Sequence, residues 1–392
     1  MLSYVDEIEV KDKKVFVRAD FNVPLDQGII TDDTRIKSTL PTVRSVLDRG
    51  GSVILASHLG RPKGKVDKKY SLAPVADRLS ELLGKEVMFI EDCIGKEVEE
   101  KAQHLKPGDI LLLENLRFHP EEEKNDEGFA RKLAGLADIY INDAFAVSHR
   151  AHASVEAITH FAGQKGAGFL IKNEITYFNK AMGEPERPLI AIIGGAKVSG
   201  KLEVLENLIQ KVDKLLIGGG MAFTFLKAEG IEIGKSLVED DLLDTARKVM
   251  KKADEIGAKV ILPVDCVVAN KVDAEAEYKT TTINDIPADW LGLDIGEQTL
   301  KLFKEAIKDA GTIVWNGPMG VFEIEPFSKG TYGVVDLVAD SPALSIVGGG
   351  DTDVALHRSG KSDKISFMST AGGAFLELLK GETLPAIKAL EH

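Results

Sequence analysis

Apolar residues along this chain fall into short, nearly uninterrupted runs that end in glycine or a charged side chain. In the first half the runs Val15–Asp20, Ser52–Ser57, Val87–Ile90, Ile110–Glu114 and Asp138–Asn142 read as strands. Helical patterns separate them; one opens at Thr34-Arg35-Ile36 and runs to about Leu47. In the second half strands are expected at 189–193, 214–217, 259–262, 312–315 and 343–347, with helical patterns at 201–211 and 240–256. Tyr278–Trp290 has weak periodicity and reads as a short β excursion. Strands apolar at every position suit a parallel sheet covered on both faces. Their alternation with helices implies an α/β fold built from right-handed βαβ units. Gly168–Met182 reads as one helix, because Phe169, Ile171, Ile175 and Phe178 recur at near-helical spacing. Gly183-Glu184-Pro185-Glu186-Arg187-Pro188 stops that helix and marks a domain boundary.

Length supports the same division, since 392 residues exceed what one core usually serves. With 44% hydrophobic and 28% charged residues, the composition is that of an ordinary soluble globular protein. The formal net charge of −13 argues against nonspecific nucleic-acid binding, so any anion site must be built locally. No apolar run approaches the ~20 residues of a membrane span. Cys93 and Cys266 show neither a CxxC pair nor zinc-type spacing, which fits a reducing compartment. The acidic N-terminal stretch lacks the features of a signal peptide, so a cytoplasmic location without membrane association is expected.

Candidate chemistry gathers at the strand ends. In the first half these carry Asp20 and Asn22, then His58 and Arg61, then Arg117 and His119, then His149, Arg150 and His152; Arg35 opens a helix. Ligands of open parallel sheets bind beyond the carboxyl ends of the strands, so these loops share one crevice. A lone arginine is usually a solvated charge. Several strand ends bearing Arg or His, without a neutralising carboxylate run, suit a small multiply charged anion such as a phosphorylated acid.

The second half carries three glycine-rich turns. In Ile193-Gly194-Gly195-Ala196-Lys197-Val198-Ser199-Gly200-Lys201-Leu202 a strand meets glycines, two lysines and a helix start, an arrangement that favours phosphate. It is not a standard P-loop, because Leu202 stands where a Ser or Thr should hold Mg2+. Gly348-Gly349-Gly350-Asp351-Thr352 places a carboxylate at a helix start, where it can cap the helix or hold Mg2+ beside a polyphosphate. Ser369-Thr370-Ala371-Gly372-Gly373-Ala374 ends a strand and offers amides to a transferring phosphoryl group. Phosphoryl transfer asks mainly for positioning and positive charge, which one lobe for a nucleotide and one for a phosphorylated acid would supply. A hinged solute-binding protein would need a secretory signal and no such set of lysines with Asp351. A dinucleotide-dependent dehydrogenase would need GxGxxG, but Phe223 and Asp353 fall where the last glycine belongs.

Along its whole length the chain resembles the phosphoglycerate kinase family. The motifs are Arg18-Ala19-Asp20-Phe21-Asn22-Val23-Pro24, Ser57-His58-Leu59-Gly60-Arg61-Pro62, Glu114-Asn115-Leu116-Arg117-Phe118, His149-Arg150-Ala151-His152, Gly194-Gly195-Ala196-Lys197-Val198, Trp315-Asn316-Gly317-Pro318-Met319-Gly320 and Gly348-Gly349-Gly350-Asp351-Thr352. The resemblance implies a monomer of two Rossmann-like domains with parallel sheets, joined by a hinge helix. Residues 1–167 would bind 3-phosphoglycerate, 168–185 would form the hinge and 186–376 would bind the nucleotide, with a tail, 377–392, returning to the first domain. It implies reversible transfer between ATP and 3-phosphoglycerate, giving 1,3-bisphosphoglycerate and ADP. Asp20, Asn22, Arg35, His58, Arg61, Arg117 and Arg150 would hold the acid. Gly195, Lys197, Lys201, Gly292, Asn316, Glu323, Gly349, Gly350, Asp351 and Thr352 would hold the nucleotide, with Asp351 meeting its Mg2+. Arg35, Lys197, Gly372 and Gly373 would face the transferring group.

Three positions depart from the family pattern. Ala371 replaces the first glycine of a three-glycine run, Phe367 stands where histidine is common, and Ala146 where glycine is common. Ala371 tests whether that turn needs a positive φ. Phe367 puts in doubt a polar contact with Glu174.

Overall fold

Alternate residues of the run Leu189–Ile193 serve two different cores in the computed structural model, which describes residues 2–391. Leu189, Ala191 and Ile193 join one apolar cluster, while Ile190 and Ile192 join another on the opposite face of the same sheet. Side chains alternate across a strand, so only a run apolar at every position can serve two covered faces. Full burial of each leucine or isoleucine side chain here stabilises the fold by roughly 1.5–3 kcal/mol.

The chain divides into two compact units. One comprises the chain up to Ile175 together with the segment from Thr383 onward; the other is Thr176–Glu382. The boundary falls inside the helix Phe169–Met182. This helix is anchored at its start within the first unit: Phe169 N donates to Thr42 Oγ1 at 2.9 Å and Leu170 N to Asp143 Oδ1 at 2.9 Å. Burial pushes the Asp143 carboxyl up to about 7.

The first unit is a parallel sheet of β1 (Lys14–Arg18), β2 (Ser52–Ala56), β3 (Met88–Ile90), β4 (Ile110–Leu113), β5 (Ile139–Asn142) and β6 (Gln164–Ala167), in the order β3-β4-β2-β1-β5-β6. Val15, Val17, Val53, Leu55, Leu112 and Ile141 build one core face. Phe16 and Tyr140 pair on the other, their centroids 6.1 Å apart. The C-terminal helix Pro385–Leu390 belongs here: Ala386 N donates to Ser148 O at 3.1 Å and Lys165 Nζ to Ala389 O at 2.9 Å.

The second unit holds a parallel sheet and a small antiparallel one. Its strands are β7 (Leu189–Ile193), β8 (Lys214–Ile217), β9 (Lys259–Ile261), β10 (Asp265–Ala269), β11 (Tyr278–Thr282), β12 (Leu291–Ile295), β13 (Thr312–Asn316), β14 (Leu344–Val347) and β15 (Phe367–Met368). The parallel order is β9-β8-β7-β13-β14-β15, and β11-β10-β12 form the antiparallel sheet. The expected β excursion is therefore one strand of three, and β10 and β12 were not separated in the sequence pattern.

The departures resolve simply. Ala371 caps the helix Gly372–Lys380 with φ −140°, an extended conformation open to any residue. Phe367 stacks on Tyr177, centroids 4.4 Å apart and planes 9° apart, so its position serves packing. Ala146 lies inside a one-turn 3-10 helix, Phe145–Val147, without a positive φ, and needs no glycine.

Candidate functional site

In the first unit the strand-end loops converge on Arg18. This arginine lies at the end of β1, fully buried. Its Nε donates to Ser154 Oγ at 2.8 Å, its Nη2 approaches His58 Nδ1 at 3.3 Å, and it bonds the carbonyl of Ala19. Behind it sits Glu122, also fully buried, 4.0 Å away and accepting from Ser154 Oγ at 2.6 Å and Ser154 N at 3.0 Å. Burial raises the Glu122 carboxyl despite Arg18. A buried charge needs such a framework, and here the framework fixes the floor of the cluster.

Above this floor, Arg35 Nη1 donates to Asp20 Oδ2 at 2.5 Å, and Asp20 Oδ1 lies 3.9 Å from His58 Nδ1. Asn22 accepts from Gly60 N at 2.8 Å, joining the loops after β1 and β2. Arg117 comes from the 3-10 turn Leu116–Phe118 after β4; its Nη1 donates to Gly60 O at 2.9 Å and its buried Nε has no hydrogen-bond partner. Burial, with Arg18 nearby, holds Arg117 down to about 10, so it remains charged at neutral pH. Arg150 is half-buried, its Nε on His149 Nε2 at 3.2 Å, and Arg61 is exposed. Neither makes an ion pair among the described residues.

Two expectations need correction. The positive charge belongs to arginines and not to His58 or His152. Burial, then Arg18, pushes His58 well below its ordinary range; burial, then Arg117, pushes His152 down to about 3. Both rings are neutral at pH 7. Carboxylates are also present: Asp20 on Arg35, Glu122 behind Arg18 and Glu123 3.4 Å from Arg117. Glu122 and Arg18 were not among the predicted site residues. The sequence signal was an arginine closing an otherwise apolar strand. His119 turns away from the cluster and pairs with Asp92 at 2.7 Å.

In the second unit the glycine-rich turns enclose a cavity of about 440 Å³. Gly195, Gly292, Glu323 and Asp351 line it, as do Gly219, Gly220 and Gly320. Backbone bonds stitch these turns together: Gly195 N to Pro318 O at 2.9 Å, Met221 N to Gly195 O and Gly219 N to Met319 O, both at 3.0 Å. Gly219 adopts φ +67°, and a Cβ there would lie 2.6 Å from Gly195 N. At Gly292 a Cβ would lie 2.0 Å from Phe223 Cζ. The cavity's apolar wall includes Leu237, Val272 and Leu291, which no sequence pattern singled out. Leu237 and Val272 are 43% and 52% exposed, apolar surface the chain itself leaves uncovered.

Lys201 lies beneath the first turn, its Nζ donating to Gly194 O at 2.5 Å and Asn316 O at 3.0 Å. Burial holds its ammonium down to about 8, with Asp351 acting the other way. Asn316 Nδ2 donates to Gly348 O at 2.6 Å, and Thr352 Oγ1 accepts from Gly317 N at 2.8 Å. Gly349 and Gly350 start the helix Gly350–Ser359. A Cβ on Gly372 would lie 3.5 Å from Gly349 Cα and Gly350 N, so a second helix begins beside the first. Free amides of two helix starts thus meet, a setting for phosphate oxygens. Lys197 is exposed, and it is absent from the cavity lining. Asp351, exposed at the cavity edge, offers the single hard oxygen donor that Mg2+ commonly takes from protein while phosphates and water complete its shell.

Comparison with known proteins gives one answer. A family model described as phosphoglycerate kinase matches residues 5–382. A phosphoglycerate kinase of Geobacter metallireducens is 63% identical over 100% of this chain and 99% of its own, and one of Geotalea uraniireducens is 62% identical over 100% and 98%. The structure of phosphoglycerate kinase from Coxiella burnetii superposes with a TM-score of 0.92 at 44% identity, covering 100% of this chain and 99% of that one.

Proposed function

The chain belongs to the phosphoglycerate kinase family, and from that premise we propose how its residues divide the reaction. The reaction is ATP-dependent phosphoryl transfer to 3-phosphoglycerate. The observation that carries the division is that the arginine cluster and the glycine-lined cavity belong to different units.

The acid lies on Arg35, His58, Arg61, Arg117 and Arg150. Asp20 orients Arg35, and Asn22 holds the Gly60 loop. The nucleotide base lies on the apolar wall beside Gly292, Glu323 accepts from the ribose hydroxyls, and the phosphates lie toward Gly195, Lys201, Asn316, Gly349, Gly350 and Thr352. Asp351 would hold the Mg2+ that accompanies the nucleotide, and the ion would neutralise phosphate charge.

A carboxylate oxygen of the acid bonds to the γ-phosphorus while the bond from phosphorus to the β–γ bridging oxygen breaks, leaving ADP and the acyl phosphate. The attacking carboxylate is already ionised at neutral pH, so no residue need act as a base. Arg35, Lys197 and the amides of Gly372 and Gly373 meet the charge on the equatorial oxygens. In-line transfer needs reacting atoms about 3–3.5 Å apart, so the units close on the ligand pair and expel water. The hinges are the helix Phe169–Met182 and the turn Ser369–Gly373. The enzyme works as a cytoplasmic monomer without a nucleic-acid partner; among the described residues no helix is long and apolar enough to cross a membrane.

A coupled assay with 3-phosphoglycerate and MgATP tests the activity, and no turnover would overturn it. Small-angle scattering tests closure. The radius of gyration should drop with both ligands bound and change less with either alone; no change with both removes the closing step.

A further inference from the structure

Asp92 and Cys93 follow β3, and His119 follows the 3-10 turn after β4. These strands are neighbours in the sheet, so two segments distant in sequence leave it side by side. One carboxylate oxygen of Asp92, the Cys93 sulfur and one ring nitrogen of His119 lie within 4.8 Å of one another. Asp92 Oδ1 accepts from Cys93 N at 2.7 Å and meets His119 Nε2 at 2.7 Å. Phe129 stacks on the His119 ring with centroids 5.3 Å apart, which fixes the ring plane. Cys93 is buried and Asp92 exposed, so the group is closed on one side and open to solvent on the other.

We propose that Asp92, Cys93 and His119 form a binding site for a divalent cation of the zinc class, separate from the Asp351 position. Three donors of different kinds converge, and their chemistry selects the ion. Magnesium and calcium prefer all-oxygen shells, whereas a thiolate with an imidazole favours zinc or cobalt. Zinc bonds of about 2.3 Å to sulfur and about 2.0–2.2 Å to nitrogen and oxygen place tetrahedral ligand atoms roughly 3.4–3.6 Å apart. The exposed Asp92 side chain can rotate away from His119 to reach that spacing. Three protein ligands leave the fourth position to water on the open side. On binding, the Cys93 S–H bond is replaced by a sulfur–metal bond and its proton leaves to solvent, while His119 coordinates as the neutral ring. Spacing in sequence gave no hint of this site, because its ligands come from two strand ends.

Cobalt is the probe, since its bond to thiolate gives a charge-transfer absorption band. The full chain, reduced and stripped by chelation, is titrated with Co2+ in the absence of nucleotide. One equivalent should bind with that band, and Zn2+ should displace it. Cys93→Ser should abolish the band, while Cys266→Ser, at a buried thiol of the other unit, should keep it. His119→Gln changes a partly exposed ring and should weaken Zn2+ binding by at least ~10-fold, the scale at which even groups outside a ligand shell act. Its melting temperature shows whether it is folded. The proposal is overturned by Co2+ binding without the band, a band that survives Cys93→Ser, a band lost equally in Cys266→Ser, or unchanged Zn2+ affinity in folded His119→Gln.

Discussion

Arg35 reaches from the start of its helix to Asp20, the carboxylate just past β1, and the two meet at 2.5 Å. The Arg35 side chain is 38% exposed and that of Asp20 only 8%. A partly exposed ion pair contributes little net stability, about 0–1 kcal/mol. Asp20 therefore fixes the direction of the guanidinium while leaving it inexpensive to release toward an incoming anion. Arg117 is held more firmly: its Nη1 donates to Gly60 O, its Nε pairs with Glu123 at 3.4 Å, and its side chain is only 5% exposed.

Arg117→Ala should weaken 3-phosphoglycerate binding by ~10–100-fold, the effect of losing a charged hydrogen bond of about 1.5–3 kcal/mol. ATP affinity should stay nearly unchanged. Calorimetric titration of each ligand separately decides it, and an equal loss for both sinks the division between units.

Lys197→Ala should lower kcat by about 10³–10⁵, the scale set by loss of a comparable cation in phosphoryl transfer. Ground-state affinity for either substrate should change far less, because the exposed lysine acts mainly on charge that develops in the transition state. Steady-state kinetics beside equilibrium binding separates the two. A raised KM for ATP with kcat intact would reduce Lys197 to a binding residue.

Lys201 links nucleotide binding to protons. Its ammonium is held down to about 8 in the free protein, and phosphates beside it favour the charged form, so its value rises on binding. Above the free value the complex then holds a proton the free protein lacks, and affinity falls as pH rises. Calorimetry at about pH 9 in two buffers of different ionisation heat should show uptake of up to ~1 proton, and almost none at about pH 7. Lys201→Met should abolish the difference; its persistence would place the proton elsewhere.

Gly292→Ala puts a methyl group 2.0 Å from Phe223 Cζ, inside a packed cluster. Overpacking of this kind costs about 1–3 kcal/mol, readable in urea unfolding. ATP affinity should fall as the strand bearing residue 292, pushed off the packed Phe223 ring, yields toward the cavity it lines, with 3-phosphoglycerate affinity unaffected. An unchanged affinity would mean the base does not lie on this wall.

Fully apolar runs such as Leu189–Ile193 announced a sheet covered on both faces, because that pattern has few other uses. Gln164–Ala167 could not be read the same way. It is Gln-Lys-Gly-Ala, an edge strand made by pairing with Ile139–Asn142, and that pairing is a tertiary fact. In the same way, strand-end position marked Asp20, His58 and Arg117, and a helix start marked Arg35, for one neighbourhood, which the folded chain assembles. Their charge states were not legible: His58 and His152 are neutral because of what buries them, and Glu122 is invisible until the loop carrying it folds under Arg18. Leu237 and Val272 resemble any surface aliphatics until the cavity between their loops is seen.

The first unit is discontinuous, with the whole of Thr176–Glu382 spliced between its sheet and its last helix. On the ribosome this order matters. The sheet strands emerge early, but the helix Pro385–Leu390, whose Ala386 packs with Ala144, Val147 and Val155, is made only after the second unit. At a synthesis rate of about 5–20 residues per second, that patch waits roughly 10–40 s for its cover. The nascent first unit therefore carries an uncapped apolar surface through the entire synthesis of the second. It becomes complete only once the helix Pro385–Leu390 has left the exit tunnel.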